Sequence, residues 1–410
     1  MKVLIISTHD LQGGAAIAAT RLLHVLRATG YDATMEVRAR SSTDPSVFPV
    51  GSITGNTMRF YWERGVIFLH NRLSRKHLFD VSIANTGVSI TNLPEFKEAD
   101  VIHLHWINQG MLSLKEIGRI LASGKKIVWT LHDMWPFTGI CHHAGACRNY
   151  EIACGDCPYL ASPSPQDLSH TVFQKKQVQY AKGKITFVAC SNWLKELAEK
   201  SPLIHGHRVL SIPNPIDTDA YLPKDQDRLR EKLHLPKEKK IVLFAAAKAS
   251  DPRKGMEYLI DASRIIAKER DDLIFLIAGA NGDEIARRLP LQARNMGYVA
   301  PGQMPELYSA ANLYVTPSLQ ENLPNTIMEA MSCGTPCVGF HTGGIPEMID
   351  HKTNGYVAEY RNAEDLAQGI VEVLFEADQK ILSRNAREKV LREYSQKKIA
   401  NRYKAIYEGE

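Results

Sequence analysis

The stretch "ENLPNTIME" sets Glu321 and Glu329 eight residues apart, and "KASDPRKG" gathers Lys248, Arg253 and Lys254 ahead of Gly255. Carboxylates take hydrogen bonds from hydroxyl groups, and clustered cations neutralise a diphosphate. The run "NLYVTPS" reads as a strand ending at Ser318, followed by a polar loop. Pro324 then suits the first turn of a helix that reaches a C-cap at Gly334. Glu321 thus falls in the loop and Glu329 on the second helical turn. The unpaired N–H groups of the helix start lie between them, ready for an anion or sugar oxygens. Two acids at this spacing are most often surface charge; here a strand, "PCVGF", and a second glycine loop, "TGGIPE", follow directly.

The first half carries a different set. "STHDLQGG" places Gly13 and Gly14 between a first strand and a long helix, where glycine lets the backbone approach a ligand closely. A plain tight turn explains one glycine as well. "VWTLHDMW" puts His132 and Asp133 at a strand end, and "HLHWINQG" does the same for His105 and Trp106. The run "CHHAGACRNYEIACGDC" holds Cys141, Cys147, Cys154 and Cys157, inside a loop over 134–165 that is long for a compact domain. Four thiolates with one C-x2-C half-site fit a structural tetrahedral zinc, with His142 and His143 as substitute ligands. Free thiols or disulfide exchange fit the spacing equally, and a metal here would shape a lid rather than act in catalysis.

The elements that must carry these residues read as strands alternating with helices. "KVLIIS", "DVIHLHW", "KKIVWTLHD", "KITFVACS" and "RVLSIPN" mark the first half; "KIVLFAAA", "LIFLIAGA", "MGYVA", "NLYVTPS" and "PCVGF" mark the second. Such alternation predicts parallel sheets covered on both faces, hence an α/β fold of two doubly wound domains. A length of 410 residues fits that count. The break falls near "PNPIDTDAYLP", giving an N-terminal domain over 1–215, a C-terminal domain over 216–390 and a last helix over 391–410 that docks through Ile399, Tyr403 and Ile406, either on the second domain or crossing back to the first.

A net charge of +5 with 44% hydrophobic and 23% charged residues describes a globular chain; it does not point to a dedicated nucleic-acid binder and leaves room for a local basic patch facing an anionic surface. The apolar start "MKVLIIS" is too short for a signal core or a membrane span, so the expected location is the cytoplasm. One stretch, "MRFYWERGVIFLHNRLSRKHLF" over 58–79, mixes aromatics with basic residues against a single acid. It fits peripheral contact with the inner face of an anionic membrane, and equally a helix pair covering the sheet.

Taken together, "ENLPNTIME", the "KG" of Lys254 and Gly255, "EAMSCGTPCVGF", "GGIPEMI" and "TNGYV" resemble the family-4 (group 1) retaining glycosyltransferases of GT-B fold. The first half leans towards bacterial exopolysaccharide and O-antigen (colanic-acid-type) enzymes. The resemblance implies two Rossmann-like domains facing across a cleft, the first binding a glycan or lipid-linked acceptor and the second a UDP- or GDP-sugar donor. Under it, Glu321, Asn322 and Leu323 meet the donor sugar, Glu329 meets the ribose, and Lys254 with Lys248 or Arg253 holds the diphosphate. Gly13 and Gly14 approach the donor, His132 supports the transferring sugar, and His105, Trp106 and Asp133 belong to the acceptor side, with core packing an equal reading for His105 and Trp106. The resemblance implies that catalysis needs no cofactor, the basic residues taking the place of a divalent ion. Asn322 replaces the family's usual glycine, a substitution that tolerates a left-handed backbone. The rival readings are a GT-B sugar-nucleotide epimerase, for which no acid/base set can be assembled, and a non-catalytic sugar-nucleotide or glycan-binding subunit.

Overall fold

The computed structural model describes residues 1–409. They form two α/β units, one of residues 1–213 with the chain from Ala400 onward, the other Asn214–Ile399. In the first, β1 (Lys2–His9), β2 (Asp32–Ala39), β3 (Val47–Pro49), β4 (Val101–Leu104), β5 (Lys126–Leu131), β6 (Thr186–Ala189) and β7 (Arg208–Ser211) form one sheet in the order β3-β2-β1-β4-β5-β6-β7. In the second, β8 (Lys240–Lys248), β9 (Leu273–Ala280), β10 (Ala293–Gly297), β11 (Leu313–Thr316), β12 (Cys337–Phe340) and β13 (Gly355–Ala358) follow the order β10-β9-β8-β11-β12-β13. Neighbouring strands pair in parallel throughout both sheets.

Both orders start centrally, step outward one way, then return to the other side. The reversal lies between β1 and β4 in one sheet and between β8 and β11 in the other. Loops at the carboxyl ends of strands part company at such a reversal and leave room for a ligand. The apolar run of β1 is buried almost from end to end, as a strand covered on both faces requires.

Three strands escaped the sequence reading: β2, β3 and β13. The residues of β2, "DATMEVRA", interleave polar groups with apolar ones, yet the strand is largely buried. Its Glu36 is 1% exposed, and neither carboxylate oxygen has a hydrogen-bond partner among the described residues. Burial therefore pushes the Glu36 carboxyl up to about 8. "MGYVA" was expected as a strand, but β10 closes at Gly297, whose φ of 63° turns the chain and leaves Tyr298 83% exposed.

The helix Gln379–Glu393 stays with the second unit, where the Arg387 guanidinium donates to the carbonyls of Tyr221 and Ser332, both at 2.7 Å. The helix Gln396–Glu408 carries the chain back into the first unit, burying Tyr403 and Ile406. There Tyr403 Oη lies 2.9 Å from Thr130 Oγ1, and Tyr407 Oη 2.6 Å from His103 Nδ1.

Candidate functional site

In the second unit, the loops after β8, β11 and β12 interlock. Gly255 caps the helix Met256–Ile266 with φ 68°, and a Cβ added there would stand 1.8 Å from the Pro317 carbonyl oxygen. Gly343, with φ 56°, would put its Cβ 1.8 Å from the carbonyl oxygen of Glu321. Only glycine permits both approaches. The Leu319 N–H donates to the Arg253 carbonyl at 2.7 Å, and the Gly344 N–H to the Asn322 carbonyl at 2.6 Å. Lys254, Glu321 and Asn322, expected at the donor, are therefore mounted on one knot of backbone at the second sheet's reversal, whereas Gly13 and Gly14 lie in the first unit.

Within that knot the Lys254 ammonium forms an ion pair with Glu321 Oε1, which also accepts from Ser318 Oγ at 3.2 Å. Lys254 keeps a third of its side-chain surface exposed. Glu329 is buried on the helix Asn325–Ser332, and Tyr308 Oη donates to its Oε2 at 3.0 Å. Pro324 is the N-cap residue of that helix, and Asn322 and Leu323 are buried beside it. The Arg253 guanidinium folds onto Asp251, with Nη2 to Oδ2 at 2.7 Å. Lys248 is exposed at the end of β8, with no carboxylate at ion-pair distance among the described residues. Ser318, Tyr308 and Asp251 were missed by sequence reasoning; Ser318 had a signal, since it ends a strand beside the loop.

The first unit's residues behave otherwise. Gly13 adopts φ 88° ahead of the helix α1 (Gly14–Ala28), and nothing stands within 4 Å of a Cβ added there. Gly14 is the first residue of that helix. His105 Nδ1 lies 2.9 Å from His132 Nε2, and the His103 and His105 rings are 4.5 Å apart. Burial pulls His132 down to about 4 and His103 to about 3, so the series is neutral at physiological pH. His132 itself is only partly buried. His105 is 3% exposed, and its Nε2 is buried with no hydrogen-bond partner among the described residues.

Asp133 is a structural hub. Its Oδ2 accepts from Trp106 Nε1 at 2.8 Å and from His142 Nδ1 at 2.7 Å, and its Oδ1 accepts the Trp135 N–H at 2.9 Å. Desolvation would raise its carboxyl, but the His142 and His143 imidazoles and the Trp135 N–H outweigh it and hold the carboxyl down at about 2. Asp133 thereby fixes the indole of the half-buried Trp106.

Cys141, Cys147, Cys154 and Cys157 are all free thiols lining one cavity of about 10 Å³. Among the described residues, no three His, Cys, Asp or Glu side chains are grouped to hold a metal ion, so the zinc reading finds no ready-formed site. Burial pushes Cys154 up to about 12 and Cys157 to about 11, which keeps both protonated as packed. Hydrogen bonds from outside the cysteine motif tie the loop. The Asp167 carboxylate accepts the N–H groups of Cys157 at 2.8 Å and Ser169 at 2.9 Å, and Ser169 Oγ accepts that of Gly155 at 3.0 Å. Beneath the loop a fully buried Lys176 donates to the carbonyls of Trp135 and Thr138, with its ammonium 3.5 Å from the Trp135 ring centroid.

Two doubly wound parallel α/β units define the class: this is the fold of the GT-B glycosyltransferases. Solved structures share the fold over the whole chain. Sucrose-phosphate synthase from Thermosynechococcus elongatus aligns at TM-score 0.66 and 19% identity, covering 100% of this chain and 98% of its own. HepE from Anabaena, in complex with UDP-glucose, aligns at TM-score 0.63 and 18% identity, covering 100% and 99%. The model of Glycosyltransferase Family 4 matches residues 12–220, and that of Glycosyl transferases group 1 matches residues 239–376. The chain belongs to glycosyltransferase family 4 and is a glycosyltransferase. It is 25% identical to the N-acetyl-alpha-D-glucosaminyl L-malate synthase of Bacillus anthracis, over 80% of this chain and 79% of the relative. It is 22% identical to the UDP-Gal:alpha-D-GlcNAc-diphosphoundecaprenol alpha-1,3-galactosyltransferase of Escherichia coli, over 78% of each.

Proposed function

We propose that this glycosyltransferase moves a sugar from a UDP- or GDP-sugar to a hydroxyl of a glycan or lipid-linked acceptor in polysaccharide assembly, with retention of configuration. The observation that carries the reading is the Lys254–Glu321 pair, set where the loops after β8, β11 and β12 meet. In the resting site each group neutralises the other. An incoming donor exchanges those partners: its diphosphate takes the Lys254 ammonium, and a sugar hydroxyl donates to the freed Glu321 carboxylate.

Lys248 is the better second cation, because Arg253 already serves Asp251. Charge develops on the departing nucleoside diphosphate, so these cations and the start of the helix Met256–Ile266 supply most of the stabilisation. Glu329 receives the ribose. His132, neutral and partly exposed, offers a hydrogen bond to the transferring sugar, and the acceptor attacks on the leaving-group face while the departing phosphate oxygen takes its proton. No step calls for a metal or organic cofactor. The donor class is supported by the UDP-glucose bound to HepE and the UDP-Gal donor of the Escherichia coli relative; that relative's diphosphoundecaprenol acceptor supports a lipid-linked one.

The test is a screen of UDP- and GDP-sugars without acceptor, reading slow release of the nucleoside diphosphate. Release that is lost in Glu321→Gln and Lys254→Ala supports the reading. Nucleotide binding with no turnover for any donor and acceptor pair would reduce the protein to a binding subunit.

A further inference from the structure

The helix α2 (Ile53–His70) has its polarity reversed for a surface helix. Its inward face buries the charged pair Glu63 and Arg64, 0% and 5% exposed, with Arg64 Nη2 at 3.1 Å from Glu63 Oε2. Glu63 Oε1 also accepts the N–H groups of Ile83 and Ala84, at 2.8 and 2.9 Å. The ion pair and these two bonds hold the buried charge, although Glu63 Oε2 accepts no hydrogen bond among the described residues, and they fix which way the helix faces.

The outward face is apolar. Met58, Tyr61, Trp62 and Leu69 share one side of the helix by their spacing, opposite Glu63, Ile67 and Arg64, and each is more than 60% exposed. Leu73 and Phe79, on the turn that follows, are each 62% exposed. Single exposed apolar residues need no explanation, but a contiguous set of this size marks a contact surface.

Charge selects the partner. Arg72, Arg75 and Lys76 are exposed beside Leu73, and Arg59 is partly exposed on the helix. Over 51–80 the only acids are Glu63, buried and paired, and Asp80, at 2.8 Å from His77 Nδ1. A surface of Trp, Tyr, Met and Leu flanked by cations with no free acid matches a bilayer of anionic lipids: rings and aliphatic chains enter the headgroup zone, and guanidinium groups meet phosphates. The helix also gives Val66 and His70 to the lining of a cavity of about 740 Å³ that includes Lys115 and Lys175.

We infer that α2 and the turn after it form a docking surface for an anionic membrane. The inference stands apart from the donor reading, since its readout involves no sugar transfer.

The experiment is flotation of the full-length protein with vesicles of phosphatidylcholine alone or with phosphatidylglycerol. Binding is expected at low salt only when phosphatidylglycerol is present, falling as salt rises. Arg72→Glu/Arg75→Glu/Lys76→Glu should lower binding by about tenfold or more. Met58→Ser/Tyr61→Ser/Trp62→Ser should do the same while its circular dichroism and melting stay those of the native protein, because the replaced side chains bury little. Brominated lipid should quench part of the tryptophan emission, and Trp62→Ser should remove that part. No flotation at low salt, or flotation indifferent to phosphatidylglycerol and salt, would overturn the inference. So would a stable dimer in the absence of lipid that Met58→Ser/Tyr61→Ser/Trp62→Ser dissolves, since the face would then belong to a second copy.

Discussion

The second unit's candidate site and the first unit's are built on opposite principles. Lys254 and Glu321 are charged, partly exposed and held by each other, on loops that two glycines lock together. His103, His105 and His132 are neutral, largely enclosed and linked in series through Thr130, Tyr403 and Tyr407 to a helix from the far end of the chain. The first arrangement is ready to trade one partner for another; the second is ready to keep a shape. Charge that must be exchanged stays near solvent, whereas a positioning group gains from being dry and uncharged.

The sharpest way to break this contrast is to disarm the charged site. Lys254→Ala or Glu321→Gln should lower turnover by about a thousandfold with little change in melting temperature. A large loss of stability instead would show that the pair is structural. His132→Ala should cost about a hundredfold in turnover while nucleoside diphosphate affinity, read by calorimetry, stays unchanged. If affinity falls in parallel, the two sites do not divide the work. Gly255→Ala should lower stability by at least about 1 kcal/mol and weaken nucleotide binding, because the new Cβ meets the Pro317 carbonyl.

The smallest effect concerns pH. Glu36 binds its proton more tightly when folded, so its contribution to stability is full below the usual carboxylate value of 4.5 and is lost as pH rises through about 8. Glu36→Gln should therefore flatten the alkaline side of a melting-temperature profile, by about 3 °C or more at pH 8. The buried histidines act in the other direction. Their lowered values mean stability is present above 6.5 and lost as pH falls through about 4. A profile without either limb would count against the dry character of the first unit.

The elements that were legible in the sequence are those whose physics is local. Continuous apolar runs announced β1, β8 and β9, and glycine with proline announced the loops that follow β8, β11 and β12. The pairing of Lys254 with Glu321 could not be read, because 67 residues separate them and the sheet order alone makes them neighbours. The strand β2 was hidden because Glu36 breaks its apolar pattern without any compensating partner. Asp133 looked like a ligand group at a strand end, and only three-dimensional neighbours reveal that Trp106, His142 and Trp135 already use its oxygens. The cysteine spacing left zinc and free thiols equally open, and it gave no sign of the hydrogen bonds that Asp167 and Ser169, outside the cysteine motif, make to the loop.

The return of the last helix has a consequence for the order of events during synthesis. His103 and Thr130 lie in central strands of the first sheet, yet their hydroxyl partners, Tyr407 and Tyr403, leave the ribosome only after the whole second unit. Until then the nascent first unit carries unmet polar groups and an uncovered apolar face, the condition in which chains recruit chaperones. The tail thus completes the packing of the first unit, and a truncation before Ala400 is expected to leave that unit in a loosely packed, aggregation-prone form. Expression of residues 1–399 beside the full chain, compared by soluble yield, reads this directly.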